Sequence, residues 1–162
     1  ASTEIVVKER RKIIYKKSVN IGVVRLKDRC GREKFPLIAA SAFAVKEYGQ
    51  VPRIRTAYAI GGTATTLAAL QLGLKVYDPE KVTGTEILRE EMQRMSEKLL
   101  EMSEKEIAAL PCMPKGRADV ITGGAVLFAT FMEKLKISKL IVSDRDNLEG
   151  YAIKKGLMYW RM

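Results

Sequence analysis

Arg55 to Leu70 reads RTAYAIGGTATTLAAL: a strand, a glycine turn carrying hydroxyls, and the opening of a helix. Ile54, Ala57, Tyr58, Ala59 and Ile60 make a mostly apolar run, as a strand buried on both faces requires. Gly61 and Gly62 then permit a tight turn, because glycine tolerates positive φ and leaves room for a ligand to approach the backbone. Thr63, Thr65 and Thr66 put hydroxyls where the first unpaired N–H groups of a helix point outward. Such a constellation can hold a phosphate. A Gly-Gly-Thr turn is also a common plain helix start, so support must come from elsewhere in the chain.

A second unit of the same kind lies at Arg117 to Phe131, RADVITGGAVLFATF, where Gly123-Gly124 meets an apolar helix. The chain begins Ser2-Thr3-Glu4-Ile5-Val6-Val7, hydroxyls and a carboxylate running into a β-branched strand. Together with SVNIGVVRLKD at 18–28, PKGRADVITGGAVL at 114–127 and IVSDRDNLEGYAIKKG at 141–156, these segments cover nearly the whole chain. In that order they resemble the exopolyphosphatase/guanosine pentaphosphate phosphohydrolase family of the actin-like ATPase superfamily.

The resemblance implies an α/β domain of ribonuclease H-like type, a mixed sheet flanked by helices. It further implies that residues 1–162 are the second, C-terminal domain, truncated at its N-terminus. In the family the loop of this domain reads Asp-x-Gly-Gly-Gly-Ser-Thr-Glu, and here Ser2-Thr3-Glu4 stands with Ala1 in place of the last glycine. The expected consequence is a missing first central strand and a gap beside the hairpin. Self-association through that edge is expected, and so is the lack of activity in the chain by itself.

By the same resemblance, Ser2 and Thr3 are phosphate-facing hydroxyls. Glu4 is the catalytic carboxylate, orienting the attacking water or holding Mg²⁺. Gly61, Gly62 and Thr63 line the phosphate or nucleotide cleft. Arg117 falls in a matching segment, where a guanidinium could clamp phosphate oxygens in bidentate fashion; a surface pair with Asp119 is the competing reading. Arg25, close to apolar neighbours, suggests a pair with Asp144 or Asp119. Asp144 and Asp146 end the last strand, facing a ligand crevice or capping the helix that follows.

The intact protein implied by this resemblance removes terminal phosphate from inorganic polyphosphate or guanosine pentaphosphate, with an N-terminal domain of the same protein as its partner. A regulatory domain that binds polyphosphate or a guanosine alarmone without turnover is the alternative. The balance of 29 Lys and Arg against 19 Asp and Glu, a net charge of +10, suits a polyanion. The lysines are scattered and lack interleaved aromatics, which ranks nucleic acid last.

Composition narrows the chemistry further. With 47% hydrophobic and 30% charged residues the chain reads as a globular domain. No apolar run approaches the roughly 18–20 residues of a membrane helix, and the N-terminus lacks the pattern of an export signal, so a cytoplasmic setting is expected. There is no histidine, which excludes His-dependent triads and His metal sites from this chain. Cys30 and Cys112 are expected as buried, reduced thiols.

The local pattern predicts a hairpin at 4–8 and 12–19, a helix from Val23, and an amphipathic helix over 35–48 ending at Gly49. It predicts the central strand at 54–60 and a helix over 65–72, then a short extended piece at 74–77 and a loop at 79–84. Helices follow at 85–101 and 104–110, the second opened by a Ser103/Glu106 capping box. A long apolar helix over 118–136, a strand at 139–143 and a final helix at 147–155 complete the reading. Gly123-Gly124 inside the long helix is costly by propensity, which a close approach to other backbone or to a nucleotide would explain.

Overall fold

The computed structural model describes residues 2–145 and 147–156. A hairpin comes first: β1 (Thr3–Glu9) and β2 (Lys12–Val19), turning at Arg10-Arg11 with Arg10 at φ +51°. Helices α1 (Val23–Cys30) and α2 (Lys34–Glu47) lead to β3 (Thr56–Ile60) and α3 (Gly62–Gln71). Then come α4 (Pro79–Val82), β4 (Glu86–Leu88), α5 (Arg89–Glu101) and α6 (Glu104–Ala108). The chain continues through α7 (Ile121–Lys134), β5 (Lys139–Ser143) and α8 (Asn147–Lys154).

The strands form two sheets. β3 runs parallel to β5, and β4 pairs antiparallel on the other side of β5, giving a mixed sheet in the order β3-β5-β4. β1 and β2 pair with each other and with no other described strand. Among the described strands, β1, β2, β3 and β4 each keep one unpaired edge.

One helix joins the two parts. From Ile121 to Met132 every residue of α7 except Phe128 is buried, as an all-round apolar helix must be. Ile121, Ala125, Ala129 and Met132 pack beneath the mixed sheet with Leu67, Ile87, Met92, Ile107, Leu140 and Val142. Val126, Leu127 and Phe131 enter a second core with Val19, Ile21, Leu26, Leu37 and Tyr48. Phe131 meets the Tyr48 ring edge-on, centroids 5.5 Å apart, and each such fully buried large side chain contributes about 1.5–3 kcal/mol.

The hairpin, α2, β5 and the Ser103/Glu106 box form as the sequence predicts: Ser103 N–H donates to Glu106 Oε2 at 2.7 Å, and Glu106 N–H to Ser103 Oγ at 3.3 Å. Five readings change. Residues 86–88, expected to open a helix, are a strand because β5 has an edge to fill: Ile87 is wholly buried opposite Leu140, and Gly84 N–H donates to Val142 O at 2.8 Å. Residues 79–82, expected as loop, form one helical turn that Asp78 caps through Glu80 and Lys81 N–H. Residues 74–77 form no strand, and α3 begins at Gly62 rather than Thr65. Cys30 and Cys112 are free but only half-buried. None of the described helices is long and apolar enough to cross a membrane.

Candidate phosphate site

Two groups of side chains make up the candidate site. The first gathers at the carboxyl ends of β3 and β5. Gly61 leaves β3 with φ +94° and ψ 161°, a conformation essentially restricted to glycine, so the chain can turn at once into α3. A Cβ on Gly62 would stand 2.2 Å from Arg117 Nη2 and 2.5 Å from Arg117 Cζ. The guanidinium thus lies directly against the glycine loop at the start of α3, where unpaired N–H groups favour an anion.

Arg117 is held there by the turn that opens α7. Its N–H donates to Pro114 O at 3.1 Å, and its carbonyl accepts from Val120 and Ile121 N–H. The competing pair with Asp119 does not form: Asp119 accepts from Lys27 Nζ at 2.5 Å. Among the described residues no ion pair involves Arg117. Arg25, expected to pair with Asp144 or Asp119, is exposed.

Tyr77 and Asp144 complete this group. Tyr77 Oη donates to Asp144 Oδ1 at 2.7 Å. Burial, then this carboxylate, push the phenol up, while the Thr65 hydroxyl and the Arg117 charge pull it down. Asp144 also lines a neighbouring cleft of about 340 Å³ with Pro79, Glu80, Thr83, Arg145 and Glu149. The crevice-facing reading of Asp144 fits this placement; Asp146 lies outside the described residues. Tyr77 went unnoticed in the sequence because 74–77 reads as a plain extended piece.

The hydroxyls divide. Thr65 and Thr66 are buried and donate back to Gly62 O, at 3.3 and 2.7 Å, so neither faces a ligand as the sequence suggested. Thr63 keeps its hydroxyl free of protein partners among the described residues, while its methyl packs toward Gly124.

The second group stands on β1. Glu4 is exposed and accepts from Ser18 Oγ at 2.8 Å; the Ser2 and then the Ser18 hydroxyl hold its carboxyl below the ordinary range. Ser2 is exposed. Thr3 Oγ1 donates to Ile21 O at 2.6 Å, so its proton is not available to a phosphate as expected. The Thr3 carbonyl accepts from Tyr48 Oη at 2.6 Å, and the Tyr48 carbonyl from Tyr15 Oη at 2.6 Å. Burial raises the Tyr48 phenol far above its ordinary value, so it stays a neutral donor.

Among the described residues no hydrogen bond joins the two groups directly. They meet through the start of α1, which takes the Thr3 hydroxyl at Ile21 and sets Val23 beside Thr63 over Gly124. As for a metal, the described residues contain no cluster of three or more carboxylates and cysteines. Glu4 is a single hard oxygen donor, which fits Mg²⁺ only in the way that ion is commonly bound, by one or two carboxylates with phosphate oxygens and water.

Known proteins share this fold. The Exopolyphosphatase 2 of Mycobacterium tuberculosis is 33% identical over 167 residues, 94% of this chain and 52% of that protein. The crystal structure of the Aquifex aeolicus member of the Ppx/GppA family superposes with a TM-score of 0.86 at 27% identity, over 96% of this chain and 53% of that one. An exopolyphosphatase structure from Cytophaga hutchinsonii, at 23% identity, shares the fold with a TM-score of 0.76 over 96% of this chain and 54% of its own. The chain thus spans about half the length of the relatives it matches. The mixed sheet flanked by helices is the ribonuclease H-like arrangement of actin-like ATPases. The family model matches residues 1–159, and the chain belongs to the Ppx/GppA phosphatase family.

Proposed function

We propose that this chain is the second domain of a cytoplasmic phosphoanhydride hydrolase, which removes terminal phosphate from inorganic polyphosphate or guanosine pentaphosphate. The observation that carries the reading is the Arg117 guanidinium laid against Gly62 at the start of α3. There a terminal phosphate meets a bidentate cation and helix N–H groups at once. These donors stabilise charge that spreads over the phosphoryl oxygens as the anhydride bond breaks. Water adds to phosphorus, orthophosphate departs, and the shortened chain leaves as the second product. Glu4, ionised at neutral pH, orients that water or supplies one oxygen to Mg²⁺. Mg²⁺, when bound, neutralises charge on the transferred phosphoryl group.

Glu4 is the one carboxylate assigned to the candidate site on β1, and the general base is assigned to an N-terminal domain of the same protein. The chain alone is therefore inactive. The open edges of β1 and β3 favour self-association of the isolated chain, because an unpaired edge is a template for another strand. Light scattering that finds only monomer overturns that part.

The decisive experiment is phosphate release from each substrate by the full-length protein, with and without Mg²⁺, alongside the isolated chain. Release by the full-length protein alone is expected. Turnover by the chain itself, abolished by Glu4→Gln, overturns the division of labour. Tight binding of a guanosine alarmone without any release favours the regulatory reading.

A further inference from the structure

Half of the net charge of +10 resides in ten residues: positions 8–17 carry Lys8, Arg10, Arg11, Lys12, Lys16 and Lys17 against Glu9. All six cations are exposed, and none of them enters an ion pair among the described residues. Elsewhere Lys27, Lys81, Arg89, Lys134 and Lys139 each have a carboxylate within reach. In the hairpin six cations lie within ten residues, with Glu9 as the one carboxylate among them.

Pairing sorts these cations by face. Glu4 lies opposite Ser18, Val6 opposite Lys16 and Lys8 opposite Ile13, with a bulge between Val7 and Lys8. Alternate residues share a face, so Glu4, Val6, Lys8, Ile13, Lys16 and Ser18 are on one side, and all six are exposed. Val7, Tyr15 and Val19 are on the other side, against the protein. Beyond Lys8 the turn adds Arg10 and Arg11. From Glu4 to Arg10 the strand runs about 20 Å at roughly 3.3 Å per residue, and cations mark that path at Lys16, Lys8, Arg10 and Arg11.

We infer that this hairpin face is a track for the distal phosphates of an inorganic polyphosphate chain whose terminal phosphate is processed beside Glu4. The inference rests on the proposed phosphoanhydride hydrolase and selects its substrate, since guanosine pentaphosphate has no long tail to occupy the track. A bare phosphate chain suits the surface better than RNA. Single strands are gripped by aromatic stacking as well as charge. The hairpin's one aromatic, Tyr15, faces inward with its hydroxyl bonded to Tyr48 O.

The test compares full-length protein with its Lys8→Gln/Arg10→Gln/Arg11→Gln/Lys16→Gln variant, with melting as a control for folding. Probes are long-chain polyphosphate, tripolyphosphate and a single-stranded RNA oligonucleotide. Affinity for the long chain should fall about tenfold or more, with a flatter salt dependence, because fewer counterions are released. Binding and hydrolysis of tripolyphosphate should be unchanged. An unchanged long-chain affinity overturns the track, as does an equal loss for tripolyphosphate or wild-type binding of RNA as tight as that of long polyphosphate. If the wild type releases phosphate from neither polyphosphate, the hydrolase reading fails, while the binding comparison still decides the track.

Discussion

The methyl group of Thr63 lies 2.4 Å from the point where a Cβ on Gly124 would stand. α3 and α7 therefore approach so closely that only glycine fits on α7, which explains a residue that lowers helix propensity in mid-helix. Val23 of α1 closes the same contact at 3.0 Å. The position of a loop residue in the candidate site is thus set by the packing of three helices.

Gly124→Ala should destabilise the protein by about 1–3 kcal/mol, the usual cost of forcing a methyl into a filled core. Gly123→Ala should not. Its new methyl would meet Leu37 Cδ2 at 3.5 Å and Leu26 Cβ at 3.6 Å, ordinary contacts, and the helix would gain up to about 1 kcal/mol of propensity. Urea denaturation of both variants checks the contrast, and equal effects would contradict the packing described here.

Neighbouring glycines at the loop should fail in different ways. Gly61→Ala strains a backbone at φ +94° and should cost about 1–3 kcal/mol of stability. Gly62→Ala only displaces the mobile end of Arg117, so the melting curve should hardly move. Phosphate-chain affinity should nonetheless fall, by isothermal titration of the full-length protein with polyphosphate.

Arg117→Ala in the full-length protein should weaken substrate binding by about 1.5–3 kcal/mol, the loss of a charge-assisted hydrogen bond. With no ion pair of its own among the described residues, Arg117 leaves no carboxylate stranded when removed. A sharp fall in melting temperature with level affinity would make its role structural.

Two carboxyls give stability a defined acid limb. Asp119 is held below its ordinary 3.8 by Lys27, and Glu4 below 4.5 by the Ser2 and Ser18 hydroxyls. A carboxyl depressed in the folded state contributes fully above its unfolded pKa and loses that contribution as pH falls through the folded one. These contributions should be level from neutral pH to about 4.5 and decline below it. Asp119→Asn should shallow that decline in acid melting curves, and an unchanged slope would argue against the Lys27 pair.

Legibility from sequence followed the strength of local signals. The hairpin and β5 carry β-branched runs with clear turns, and their bounds emerge almost unchanged. β4 was hidden, because three residues leading into a run of Glu, Met and Arg look like the start of α5. Only the free edge of β5 makes them a strand. In the candidate site, Gly62 and Arg117 were readable separately through the family resemblance. Their contact was not, since 54 intervening residues separate them. The fates of Thr3, Thr65 and Thr66 depend on which carbonyl each hydroxyl finds, which no motif encodes. Tyr77 had a weak signal at best, a lone aromatic two residues before Pro79.

Because α7 supplies side chains to both cores, neither half of the domain can open without exposing it. Amide hydrogens along α7 should be the last to exchange with deuterium, through openings that approach global unfolding. The hairpin, tethered by the Tyr15–Tyr48–Thr3 bonds, by Thr3 Oγ1 on Ile21 O and by Val19 in the second core, should exchange sooner. The chain then has one slow centre and a fast arm. Glu4 rides on the arm, while the Gly61–Thr63 loop is anchored to the centre.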